Sequence, residues 1–268
     1  MGTVITMATE RGAGRGGGGE PAHDDHSSSV TRARPVAQHR PTVRPLRLLT
    51  VCTGNVCRSP FAAAILATRL ANLNIEVGSV GTHALVGQAL TPETMQLGIA
   101  HEIDHHDLAS HRAHQLTESI LEDADLVLAM SREHRRRVVE LLPRRLHSTF
   151  TIREFSRLAD DLGTDQLRDA MAGETEPRAR LRIALDRLIA QRAVSRPPTD
   201  GSTDDVVDPY GRSRRAYEAM NAQLLPALAN VERVLRAVSA ASSVGRDSAA
   251  PFPPDRRFPT GRIANWEQ

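Results

Sequence analysis

The chain has 268 residues, 40% apolar and 25% charged, enough to bury one ordinary core and a prior for one or two domains. Its net charge of +2 is too small to argue for nucleic-acid binding, and no run approaches the roughly 18 apolar residues of a membrane span. Only two cysteines occur, Cys52 and Cys57, which fit neither a disulfide framework nor the paired spacing of a zinc site, so no metal or cofactor is expected.

Residues 1–45 carry Gly16-Gly17-Gly18-Gly19, Ser27-Ser28-Ser29 and few large apolar side chains. Ordering them costs more entropy than burial returns, so they read as a disordered tail. No apolar segment of signal-peptide length opens the chain, and a cytoplasmic location is expected. Leu46 to Val51 reads as a short buried strand, and Phe61-Ala62-Ala63-Ala64-Ile65-Leu66 as a helix with Ser59 at its N-cap and Pro60 at its first position. Between them lies Cys52-Thr53-Gly54-Asn55-Val56-Cys57-Arg58. Its backbone N–H groups should converge on one point as an anion nest, with Arg58 gripping two oxygens of a phosphate and the Cys52 thiol beneath the phosphorus. That positive environment favours the nucleophilic thiolate.

Further along, Ile75 to Val80 reads as a second strand, Thr91 to Gly98 as a helix opened by Thr-Pro, and Leu126 to Met130 as a third, fully buried strand. Ser131 caps a helix running to Leu142, and Thr149 to Ile152 is a fourth strand. Arg132-Glu133-His134-Arg135-Arg136-Arg137 reads as a solvated helix face, with a docking patch for an acidic partner as the alternative. All 34 basic residues are Arg, so such a cluster reflects compositional bias before function. Residues 155–203 suggest a short helix at Phe155, Leu158 and Leu162, a longer one after Pro177, and a linker at Pro197-Pro198 and Gly201-Ser202. A helix from Ser213 to Val238 closes the domain. Residues 241–268, including Trp266, read as a second disordered tail. The β-α-β rhythm implies a doubly wound α/β domain, a four-stranded parallel sheet flanked by helices.

The Cys-x5-Arg-Ser loop at the first strand, together with Asp208-Pro209-Tyr210 far downstream, resembles the low-molecular-weight protein tyrosine phosphatases, which share it with related arginine phosphatases and arsenate reductases. The segments Ser79-Val80-Gly81-Thr82, Ser110 to Leu116 and Ala124 to Met130 fit the same pattern in order. The resemblance covers 46–240, with 155–203 as a helical insertion beyond the compact family pattern. That insertion reads as a packed accessory element, with a lid or partner-docking element as the alternative.

The resemblance implies hydrolysis of phosphotyrosine in proteins. Cys52 is the nucleophile, Arg58 and the loop from Thr53 to Ser59 hold the phosphate, and Asp208 is the general acid and then base. Asn55, Ser59, Ser79 and His111 form a supporting network, with Ser59 also donating to the Cys52 thiolate. Tyr210 walls the pocket. Cys57 has two readings, a reversible disulfide with Cys52 and a small buried side chain. The partner is a phosphotyrosine-containing protein, with no nucleic acid and no membrane; the oligomeric state is open. Protein-arginine phosphatase, thiol-dependent arsenate reductase and non-catalytic phosphate-binding regulator are the alternatives. Val56 stands where arginine phosphatases of this kind place Thr, and the chain has no further resolving thiol.

Overall fold

A computed structural model describes residues 44–196 and 198–240. The strands β1 (Leu46–Cys52), β2 (Ile75–Gly81), β3 (Leu126–Ala129) and β4 (Thr149–Thr151) form one parallel sheet in the order β2-β1-β3-β4. Parallel strands need crossovers that lay helices on both faces, which is why β1 and β3 are apolar runs rather than alternating ones. Successive β1 residues point to opposite faces. Leu46, Leu48 and Cys52 belong to one buried cluster, Leu49 and Val51 to the other.

The crossovers are α1 (Arg58–Arg69), α2 (Pro92–Ala100), α3 (His105–Ser110), α4 (Glu118–Asp123) and α5 (Arg132–Leu141). After β4 come α6 (Ile152–Leu162), α7 (Thr164–Ala170), α8 (Pro177–Val194) and α9 (Arg214–Ser239). Helix α9 packs against α1, α6, α7 and α8, while α4 and α5 supply Ile120, Leu121 and Val138 to the opposite cluster. Because β1 pairs with β2 on one side and β3 on the other, the sheet order reverses at β1. The carboxyl ends of β1 and β3 therefore flank the crevice where such a sheet takes its ligand.

Three local readings change. Helix α1 starts at Arg58 with Cys57 as N-cap and no side-chain cap, so Ser59 lies inside the first turn and does not cap it. Its hydroxyl is turned instead toward Cys52. Strand β4 stops at Thr151, because Thr151 and Glu154 make a reciprocal capping box that starts α6 at Ile152, ahead of Phe155. The short helices α3, α4 and α7 lie where the sequence suggested no regular element. Ser131, by contrast, caps α5 as expected, its Oγ accepting from the His134 N–H at 3.3 Å.

The helices of 155–203 belong to the main core, for Phe155, Leu158, Leu162, Leu181, Leu185 and Leu188 are all buried in the cluster that holds α1 and α9. Arg180 fastens them: its buried guanidinium donates to the carbonyls of Met171, Glu174, Ala237 and Val238 at 2.7–2.9 Å. The Ala237 and Val238 carbonyls lie in the last turn of α9, where no helical N–H can reach them, and those of Met171 and Glu174 lie in the turn between α7 and α8. A 3-10 turn at Gly201–Asp204 leads into the segment holding Asp208. The tails expected at residues 1–45 and 241–268, Trp266 included, lie outside the described residues apart from Arg44 and Pro45. Among the described residues no helix is long and apolar enough to cross a membrane.

Candidate active site

Strand β1 ends at Cys52, and the next five residues turn directly into α1, whose first N–H groups have no helical carbonyl to bond. The Cys52 side chain is buried at the centre of that turn. Its Sγ accepts from the Asn55 N–H at 3.3 Å and lies 3.0 Å from Ser59 Oγ. Gly81 lets the end of β2 come close to this loop, since a Cβ there would collide with the Thr53 carbonyl oxygen.

Asn55 holds the loop from within. Its φ of 57° lies in the left-handed region, which Asn tolerates better than most residues. Its Nδ2 donates to Ser59 Oγ at 3.0 Å and Ser79 Oγ at 2.9 Å, while its Oδ1 accepts from the His114 N–H at 2.8 Å. His111 Nε2 donates to the Asn55 carbonyl at 2.8 Å. Burial pushes the His111 pKa down, with the nearby His114 and Arg112 adding to the shift against that hydrogen bond.

Arg58 projects from the first turn of α1 with its side chain 6% exposed. Its Nη2 donates to Asp208 Oδ2 at 2.7 Å and to Thr53 Oγ1 at 3.4 Å, and Nη1 reaches the Val206 carbonyl at 3.4 Å. The segment carrying Asp208 is held at several points. The Val206 N–H donates to the Met130 carbonyl at 2.8 Å, beyond the end of β3, and the Val207 N–H to Gln223 Oε1 at 2.9 Å. Asp205 accepts from the Arg132 N–H at 2.7 Å, and its carbonyl from Arg153 Nη1 at 3.1 Å.

Cys52, Arg58 and Asp208 line one cavity of about 150 Å³, with Thr53, Gly54 and Cys57 on its loop side. Val56 and Leu85 form an apolar wall beside Gly54, and Tyr210, 55% exposed, stands at the mouth with His83 nearby. The segment after Thr82, which holds no Phe, Tyr or Trp, gives His83 and Leu85 to the lining. They arrive because the backbone after β2 runs along the loop, His83 N–H donating to the Thr53 carbonyl and Leu85 N–H to Gly54, both at 3.0 Å.

Cys57, though it lines the cavity, has its sulfur engaged on the far side of the loop by Thr91 and Tyr217. Its Sγ lies 3.6 Å from both Thr91 Oγ1 and Tyr217 Oη, and burial pushes the thiol pKa up. His134 corrects the reading of its cluster as a solvated face. It is only 4% exposed, with Nε2 2.8 Å from Thr53 Oγ1 and Nδ1 2.9 Å from Ser131 Oγ. Burial, and then the charge of Arg58, bring its pKa down to about 4. One sequence signal could have found it: His134 and Val138 stand four apart, and they are the two α5 side chains that go inside. Among the described residues no group of three or more His, Cys, Asp or Glu is placed to hold a metal ion.

A protein-arginine-phosphatase from Geobacillus stearothermophilus is 35% identical over 150 residues, 56% of this chain and 95% of its own. A probable low molecular weight protein-tyrosine-phosphatase, EpsP, from Ralstonia solanacearum is 34% identical over 142 residues, covering 53% and 92%. The solved arginine phosphatase YwlE of Geobacillus stearothermophilus superposes with a TM-score of 0.48 at 28% identity, over 70% of this chain and 91% of that one. The family model described as low molecular weight phosphotyrosine protein phosphatase matches residues 47–187, a range that contains the whole loop from Cys52 to Ser59 and stops short of Asp208. With that loop inside the matched range and the relatives covered almost end to end, the chain belongs to the low molecular weight phosphotyrosine protein phosphatase family.

Proposed function

We propose that the protein hydrolyses phosphotyrosine in proteins through a phosphate ester on Cys52. The observation that carries this is the convergence of Cys52, Arg58 and Asp208 on one cavity whose remaining wall, Val56, Leu85 and Tyr210, suits an aryl ring. The Cys52 thiolate attacks phosphorus while the phosphorus bond to the tyrosine oxygen breaks, and Asp208 gives its proton to that oxygen. Water then attacks the cysteinyl phosphate, Asp208 takes a proton from it, and the thiolate leaves with inorganic phosphate as the product. Arg58 and the loop N–H groups carry the charge on the equatorial oxygens through both steps, where phosphoryl transfer draws most of its rate. Asn55, Ser59, Ser79 and His111 keep that loop rigid. The unit proposed to act is 46–240, and the compartment is the cytoplasm, whose reducing conditions suit the two free thiols.

Protein-arginine phosphatase is the second reading, favoured by the name of the 35% identical relative. Against it stands Val56, which offers no acceptor to a guanidinium. Arsenate reduction needs a resolving thiol, and the one other cysteine, Cys57, is buried between Thr91 and Tyr217. The deciding experiment assays phosphotyrosine peptide, phosphoarginine and arsenate with thiol side by side, with chelator present and with Cys52→Ser as the control. Phosphotyrosine should give the highest kcat/KM, and Cys52→Ser should abolish turnover while still binding phosphate. Turnover surviving in Cys52→Ser refutes the mechanism, and a phosphoarginine preference refutes the substrate.

A further inference from the structure

His134 is a buried imidazole outside the set of residues just given roles, and it lies one side chain away from Arg58. The hydrogens can be assigned by following the chain of contacts. Arg58 Nη2 can only donate, so at 3.4 Å the Thr53 hydroxyl oxygen accepts from it. That hydroxyl is then left with one proton of its own, and His134 Nε2 stands 2.8 Å away. At the other edge of the ring, Ser131 Oγ is 2.9 Å from Nδ1 and also accepts from the His134 N–H at 3.3 Å. In a neutral imidazole with Nδ1–H donating to Ser131 and Nε2 accepting from Thr53, the one proton of the Thr53 hydroxyl is also used, and this is the tautomer the proposal takes. The helix cap of α5 thereby fixes the ring, and the ring fixes the hydroxyl on which Arg58 rests.

We propose that His134 is a positioning residue for phosphoryl transfer, holding the Arg58 guanidinium in the plane that meets the phosphate by way of Thr53. This rests on the phosphatase reading above. The fork of an arginine gives its two parallel bonds only in one plane, and Arg58 has a competing partner in Asp208 at 2.7 Å. The Thr53–His134 pair is a second anchor, one that stays when a substrate draws the guanidinium away from Asp208. A protonated His134 would lose its acceptor atom and place a second cation beside Arg58. The charged groups whose fields reach it are Arg58, Asp208, Asp205 and, on its own helix, Glu133.

The test compares His134→Leu, His134→Gln and Thr53→Val with wild type and Cys52→Ser on p-nitrophenyl phosphate. His134→Leu removes the acceptor and should lower kcat about 5- to 150-fold, the span of an unmade buried hydrogen bond, with KM within about threefold of wild type. His134→Gln, whose amide oxygen can take the place of Nε2, should recover most of that loss. Thr53→Val, which leaves the imidazole in place, should reproduce the kcat defect if His134→Leu yields no folded protein. The double variant should be no worse than the more damaged single one, because both break the same chain. Wild-type kcat in His134→Leu, equal damage in the Gln and Leu variants, or additive losses in the double variant each overturn the proposal. Full activity in Cys52→Ser instead overturns the phosphatase mechanism beneath it, so the two failures are told apart.

Discussion

Arg58 Nη2 and Asp208 Oδ2 are 2.7 Å apart, an ion pair that joins a buried guanidinium at the floor of the cavity to a carboxylate 45% exposed at its mouth. The same carboxylate is proposed to protonate the leaving oxygen, and it cannot do that while ionised and bound to Arg58. In the proposed reaction the phosphate would take over the donors of Arg58, and Asp208, freed from the pair, would have to take up a proton from solvent before it turns to the leaving oxygen.

Asp208→Asn separates those two jobs, since the amide oxygen can still accept from Arg58 but the side chain has no acidic proton. General-acid help contributes about 10²- to 10⁴-fold, most where the leaving oxygen is a poor one. The expected outcome is a loss in that range on phosphotyrosine peptide and a clearly smaller one on p-nitrophenyl phosphate, read as two kcat values. Equal losses on both substrates point to a structural Asp208.

Thiol chemistry should distinguish the two cysteines. Cys57 is buried, held between Thr91 Oγ1 and Tyr217 Oη at 3.6 Å, and its pKa is pushed up, so at neutral pH it stays a thiol. Iodoacetamide at pH 7 should modify Cys52 in step with loss of activity, inorganic phosphate should protect it, and Cys57 should react much more slowly. Peptide mass mapping checks this. Modification of Cys57 first contradicts the packing described for it.

His134 also makes stability depend on pH. Its folded pKa of about 4 lies below the ordinary value of 6.5, so between those limits the unfolded chain binds the proton and the folded one does not. Its contribution is therefore complete above pH 6.5 and is lost as pH falls through about 4, to a limit of roughly 3 kcal/mol. Buried His111, shifted in the same direction, adds to the acid sensitivity. Urea midpoints at pH 7 and pH 4.5 should fall further apart for wild type than for His134→Gln. Equal pH dependence in the two proteins rules out His134 as a source.

The sheet and the turn that carries Cys52 and Arg58 were legible because both rest on short-range rules. Buried parallel strands must be apolar runs, and a Cys-x5-Arg turn between strand and helix has few other uses. What escaped the sequence was set by contacts between distant elements. Ser59 has the chemistry of an N-cap, but its hydroxyl is engaged 3.0 Å from Cys52 and by Asn55, so the helix starts one residue earlier. His134 sits amid five charged neighbours, four of them exposed, whose charge hid its own burial. Leu85 joins the pocket through backbone pairing that no periodicity encodes. Helices of six or seven residues, such as α3, α4 and α7, complete fewer than two turns and leave no period to read.

Val56 decides the choice between tyrosine and arginine in the proposed reading. It lies buried in the loop and, with Leu85, lines the apolar side of the cavity. That wall suits an aryl ring. A phosphoguanidinium brings extra N–H donors, and a buried donor without a partner costs about 1 to 3 kcal/mol, or roughly 5- to 150-fold in rate. Val56→Thr keeps the side-chain shape and adds one acceptor, so the ratio of kcat/KM for phosphoarginine over phosphotyrosine should rise within that range. The hydroxyl replaces a methyl at a position only 3% exposed, so the variant should also lose some stability, about 1 kcal/mol or more by urea unfolding. An unchanged substrate ratio, in a folded variant with Cys52-dependent turnover, would remove Val56 from the account of specificity and leave the Cys52, Arg58 and Asp208 chemistry untouched.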